Sequence, residues 1–155
     1  MSKEQVAVYF EPVAAENARL AIASSGDLRR AINAILTLDG FFGTLHAELY
    51  EQGAITEPSD DIWKEELAQQ NEDYRLLRDC AYALKHGYLT KPKPRLVRRS
   101  DQIFPMPASY DAATFDRSAF DVETIWIQAE DTDYRADEVI KEVAGFARER
   151  LSDLP

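Results

Sequence analysis

Tyr74-Arg-Leu-Leu-Arg-Asp-Cys-Ala-Tyr-Ala-Leu-Lys-His-Gly87 is the stretch on which the fold turns. At about 100° per residue its apolar side chains Tyr74, Leu77, Ala81 and Leu84 fall on one stripe. Carried back through Leu67 and Trp63, the stripe predicts a single long helix from Ile62 to His86. Ser59 or Asp60 is placed to cap its start, and Gly87 to stop it. The same spacing groups Arg75, Asp79, Tyr82 and His86 on the opposite face, with Arg78 and Lys85 on the flank, about 90° from the stripe.

Upstream, Ser24-Ser25-Gly26-Asp27 offers a break with N-cap chemistry for a second helix running to about Gln52, where Gly53 ends it. A first helix is read from Phe10 to Ala23, starting near Pro12. The second and third helices, joined by a short loop, are expected to be antiparallel neighbours. Downstream the character changes, because Pro92, Pro94, Pro105 and Pro107 interrupt any helix. Leu96 to Phe104 reads as extended and Thr124 to Ala129 alternates like a strand. Tyr134 to Leu151 is helical again, with Val139, Ile140, Val143, Ala144, Phe146, Ala147 and Leu151 at amphipathic spacing. The expected architecture is mainly α: an up-down helical bundle with a small two-stranded β ribbon between the third and last helices. Residues 1–155 form one domain, with 88–130 as a basic, proline-containing ribbon and loop insertion.

The chain has 155 residues, and 45% apolar content suffices for one core. A net charge of −10 opposes indiscriminate attachment to nucleic acid or anionic membrane, so any such contact must be local. Against that background Tyr88 to Arg99 carries Lys91, Lys93, Arg95, Arg98 and Arg99 and no acid. The single Cys80 excludes an internal disulfide framework and lies among apolar positions, where a buried, reduced thiol is expected. No apolar run approaches the roughly 20 residues of a membrane span, and the first residues lack a signal-peptide core. The expectation is a cytoplasmic protein without a membrane partner.

The polar face of the third helix has a chemistry of its own. Arg78 offers a planar fork for phosphate, His86 can exchange a proton near neutral pH, and Tyr82 can stack on a base. The plainer reading is an Arg75–Asp79 surface pair, with Lys85 and His86 opposing the helix dipole. On the second helix, Asp39 and His46 share the apolar stripe of Leu28, Ile32, Ile35, Phe42 and Leu49. A buried Asp39 requires a cationic or hydrogen-bonding partner, and Arg78, Lys85 and Tyr82 are the candidates. With His46 it could form a polar network, orient a catalytic group or supply two metal ligands. The chain's two His and one Cys leave a metal site short of further ligands, so none is assigned and no cofactor is expected. Gly40 and Gly43 allow close backbone approach, as at a helix crossing or a dimer contact.

Two long helices, the second carrying Arg78-Asp79 and ending on His86, resemble the HEPN superfamily of helical domains. More particularly, the chain resembles a group of uncharacterised bacterial proteins with an Arg-Asp-x-Ala-x-Ala-x-Lys-His signature, here Arg78 to His86. The resemblance implies a dimerising bundle that handles RNA, in many members as a metal-independent endoribonuclease or toxin component. It also implies a groove shared by two copies, in which His86 moves the proton of a ribose 2′-hydroxyl and Arg78 stabilises the transition state. Asp39, His46, Asp79 and Tyr82 would support that pair, and Lys85, Lys91, Lys93, Arg95, Arg98 and Arg99 would follow the RNA backbone. The gap between Arg78 and His86 is one residue longer than the family's usual range, which turns His86 by about 100°.

Two other readings of the same residues stand beside this one. A non-catalytic homodimeric module would dock a protein through the Lys91-Pro92-Lys93-Pro94-Arg95 segment or the ribbon. A small-molecule pocket would be lined by Asp39, His46 and Tyr82. The catalytic reading expects Arg78 and His86 to be open to solvent in a groove, whereas a structural reading expects them paired.

Overall fold

A computed structural model of the chain describes residues 3–107 and 123–154, and shows a helical bundle carrying a small antiparallel sheet. The first helical segment is α1 (Lys3–Tyr9), which passes through a π turn (Phe10–Ala15) into α2 (Glu16–Ala23). It therefore starts before Pro12 rather than at it. Val6, Phe10, Ala14 and Ala18 are all buried at a spacing of four. That stripe spans one residue more than the roughly 11 that three α-turns contain, and a π turn absorbs one extra residue.

The second long helix, α3 (Leu28–Glu51), is capped by the Asp27 carboxylate, which accepts from the Arg30 N–H at 3.1 Å. Its chain then turns at Gly53, where φ is +70°. Ser59 accepts from the Ile62 N–H and starts α4 (Asp60–Gln70). The long helix expected over Ile62–His86 is in fact two. Asn71 adopts extended backbone, closes α4 by donating its N–H to Leu67, and caps α5 (Glu72–His86) by accepting from the Tyr74 N–H at 2.9 Å. Asn71 followed by Glu72 and Asp73 is a helix-start pattern that the apolar stripe passed over. Gly87, at φ +73°, ends α5.

The sheet has three strands rather than two: β1 (Ile103–Pro107), β2 (Glu123–Gln128) and β3 (Asp133–Arg135), in that order. Of the segment expected to be extended, only Ile103 and Phe104 lie in a strand. Tyr88 and Arg99 form an isolated bridge, and Ser100–Gln102 is a 3-10 turn. Prolines are tolerated in β1 because it is an edge strand. Ile125, opposite Pro105, instead donates its N–H to the Ser25 carbonyl at 2.8 Å. This stitches β2 to the α2–α3 turn. Gly26 lets the two approach, since a Cβ there would sit 2.3 Å from the Glu123 carbonyl oxygen. The irregular loop expected after β1 lies largely outside the described residues.

The last helix, α6 (Ala136–Ser152), packs on α2, α3, α5 and β2. An aromatic chain joins these elements: Phe10 to Phe41 at 4.8 Å, Phe41 to Phe42 at 5.4 Å, Phe42 to Tyr74 at 4.2 Å and Phe42 to Phe146 at 5.7 Å between ring centroids. Burial of such rings supplies a large share of core stabilisation. Gly40 and Gly43 do mark helix crossings, facing the Tyr9 hydroxyl and the Lys64 ammonium respectively. Cys80 is fully buried, and burial pushes its thiol far above its ordinary range. Among the described residues no helix is long and apolar enough to cross a membrane.

Candidate anion-binding groove

Two i,i+4 pairs face one another across α4 and α5. Asp61 and Glu65 project from α4, and Arg78 and Tyr82 from α5. Arg78 Nη1 donates to Glu65 Oε2 at 2.6 Å and Nη2 to the Asp61 carbonyl at 3.1 Å, while the Tyr82 hydroxyl donates to the Asp61 carboxylate. Arg78 is thus only 2% exposed, and its Nε has no hydrogen-bond partner among the described residues. The flank position of Arg78 is interior, because α4 folds over it after the break at Asn71, so the catalytic reading's expectation of a solvent-open Arg78 does not hold.

Asp79, one residue on and about 100° around the helix, holds a different element. It accepts from Arg95 Nη1 at 2.7 Å and from the Leu96 N–H at 2.8 Å, so the basic segment 88–99 is anchored on α5. The Arg75–Asp79 surface pair does not form, since Asp79 is buried and spent on Arg95. Arg98 shapes the same segment from within, donating to the carbonyls of Leu89, Lys91 and Lys93. Arg99 pairs with Asp101. Lys93 donates to Glu65 Oε2 at 2.6 Å, the oxygen that also receives Arg78. Partial burial pushes the Glu65 carboxyl up, but these two hydrogen bonds outweigh it and hold the group at about 2.

The result is a groove of about 510 Å³ whose walls include Arg78, Tyr82, His86, Tyr88, Lys91 and Arg95. Its centre is the Tyr82 ring. Arg95 lies 4.8 Å and Arg78 5.1 Å from the ring centroid, and the His86 ring stacks on it at 6.2 Å and 18°. His86 is exposed, Tyr88 is 58% exposed, and the Lys91 ammonium has no partner among the described residues. The chemistry on offer is a desolvated guanidinium floor, an open imidazole, aromatic faces and a free ammonium. These groups suit a phosphate ester with an attached planar base.

Asp39 and His46 serve other places. Asp39, 1% exposed, accepts from Lys85 Nζ at 2.8 Å and lies 3.6 Å from Lys64 Nζ. Of its three candidate partners Lys85 is the one that binds it; Lys85 Nζ lies 5.8 Å from the Tyr82 ring centroid but does not line the groove. His46 contacts the Glu57 carbonyl at 2.8 Å through Nε2 and packs on Trp63, tying α3 to the loop before α4. Neither residue lines the groove with Tyr82. Among the described residues no group of three or more His, Cys, Asp or Glu side chains is disposed to hold a metal ion.

Asp61, Lys64, Glu65 and Tyr88 are site or network residues that the sequence reading did not single out. The i,i+4 acids of α4 were the available signal, but their partners lie across a helix pair that the single long helix concealed. No protein-family model, no curated protein and no solved structure matches this chain.

Proposed function

We propose that this protein is an RNA-handling domain of HEPN-like kind that holds a phosphodiester strand in the Tyr82-centred groove. In this reading His86 moves the proton of a ribose 2′-hydroxyl. The observation that carries the reading is a groove that, in a chain of net charge −10, brings Lys91, unpaired among the described residues, and an open His86 beside Arg78, Lys93 and Arg95. Those three are ion-paired to Glu65 and Asp79, with Asp61 as the acid of the groove's lining. A groove of about 510 Å³ is in the range that holds a drug-sized ligand or a single nucleotide. One specific observation favours the non-catalytic alternative, an RNA-binding or homodimeric interaction module without turnover. Arg78, the proposed stabiliser of a pentavalent phosphorus, is buried and already ion-paired to Glu65.

The test is fluorescence anisotropy and gel cleavage of a labelled single-stranded RNA in EDTA, using wild type, His86→Ala and Lys91→Ala, with the oligomeric mass measured on the same samples. Binding should weaken in Lys91→Ala and fall with salt at a slope near −0.7 per neutralised phosphate. Cleavage by wild type but not by His86→Ala establishes the ribonuclease. Binding without cleavage assigns the non-catalytic form, and a folded protein that binds no RNA overturns the proposal.

A further inference from the structure

Lys93 lines two grooves at once, the one centred on Tyr82 and a second of about 510 Å³ whose walls include Glu65, Gln69 and Arg75. Its bond to Glu65 forms part of the wall between them. Glu65 Oε2, which faces the second groove, receives both Lys93 and Arg78 at 2.6 Å, while both cations also line the Tyr82 groove. The two halves of this arrangement differ in strength. Arg78 is 2% exposed on its side chain, so separating it from Glu65 strands a buried charge, whereas Lys93 is 48% exposed and its pair is screened. Pro92 and Pro94 fix φ on either side of Lys93, so the backbone there is restricted and the long lysine side chain is the part free to turn.

We propose that Glu65 competes with the ligand's phosphate for Lys93: a phosphate entering the Tyr82 groove takes Lys93 from Glu65 on the far side of the wall, while Arg78 stays paired. Glu65 then sets affinity by competing for Lys93. This rests on the reading of the groove as a phosphodiester site. Because an exposed pair is weak, the competition reduces affinity by no more than about fivefold.

The experiment measures anisotropy of a labelled 12-nucleotide oligouridylate with wild type, Glu65→Gln, Lys93→Met and Lys91→Ala over a salt series, with a thermal melt of each variant. Glu65→Gln keeps an oxygen acceptor for Arg78 while removing the charge opposite both cations, and it should bind about three- to fivefold tighter than wild type, a gain that should vanish when Lys93→Met is added. Lys93→Met should bind more weakly, with a salt slope smaller by about 0.7, because the lysine meets phosphate in the complex. If wild type binds and Lys91→Ala weakens it, but Glu65→Gln binds no tighter, the inference is overturned and the reading of the groove stands. If neither wild type nor Glu65→Gln binds, the groove reading itself falls. Should Glu65→Gln fail to fold, Lys93→Met decides alone, and unchanged affinity and slope there overturn the exchange.

Discussion

Removing the partner of Asp39 should destabilise the bundle by an amount the geometry bounds. Two unit charges 2.8 Å apart attract by about 6 kcal/mol at an effective dielectric near 20. Lys85 is 45% exposed on its side chain, so solvent screens much of this, while Asp39 at 1% has lost its hydration and has Lys64 at 3.6 Å as its other cation. We expect a coupling of about 2 kcal/mol from the cycle of Asp39→Asn, Lys85→Met and the double variant. Lys85→Met alone should cost about 3 kcal/mol, and Asp39→Ala a similar amount, lowering Tm by about 6–12 °C for a chain of this size. Urea unfolding followed by circular dichroism supplies the four free energies. If the two substitutions add to within about 0.5 kcal/mol, the pair carries no more than a surface ion pair and the assignment of a buried network is wrong.

Two further outcomes are expected. Gly26→Ala should cost about 1–3 kcal/mol in the same urea assay, because its Cβ would meet the Glu123 carbonyl at 2.3 Å and neither backbone can move without breaking the stitch to β2. A cost indistinguishable from zero would mean that the turn does not touch the sheet. Glu65, with its carboxyl lowered from 4.5 to about 2, should contribute stability that is fully present above pH 4.5 and lost as pH falls toward 2. The difference in acid stability between wild type and Glu65→Gln should close over that window, and a constant difference would contradict the pairing.

Several helix ends were legible, since Asp27 within 24–27, Ser59 of the pair Ser59 and Asp60, and Gly87 act as cap or stop, whereas the start read near Pro12 was not one. The break at Asn71 was not legible, because apolar side chains recur in phase on both sides of it and periodicity reports no backbone dihedral. β3 escaped for a different reason: three residues cannot display a period, and Asp133–Arg135 is a strand only because β2 is beside it. Away from the groove, the need of a buried Asp39 for a cationic or hydrogen-bonding partner followed from its place on the apolar stripe, whereas at the groove the interior position of Arg78 did not. A guanidinium is read as surface unless its acids are visible, and Asp61 and Glu65 are 17 and 13 residues away in sequence.

The adjacent pair Arg78 and Asp79 makes the structural and functional readings of α5 less opposed than they first look. Each side chain is buried, and each ties α5 to a different element, Arg78 to α4 and Asp79 to the segment 88–99. The groove exists because those two ties set α4 and the basic segment on either side of Tyr82. Cutting one tie should therefore reshape the groove without touching its open face. Asp79→Asn keeps an oxygen for the Leu96 N–H but loses the charge that holds Arg95, so amide exchange over 88–99 should quicken by about tenfold while the Leu77 and Ala81 amides stay protected. Unchanged exchange at Leu96 would show that Arg98, through its three carbonyl contacts, holds the segment by itself. The Arg78-Asp79 pair would then have to be explained by what it does to Tyr82 and His86 rather than by what it holds in place.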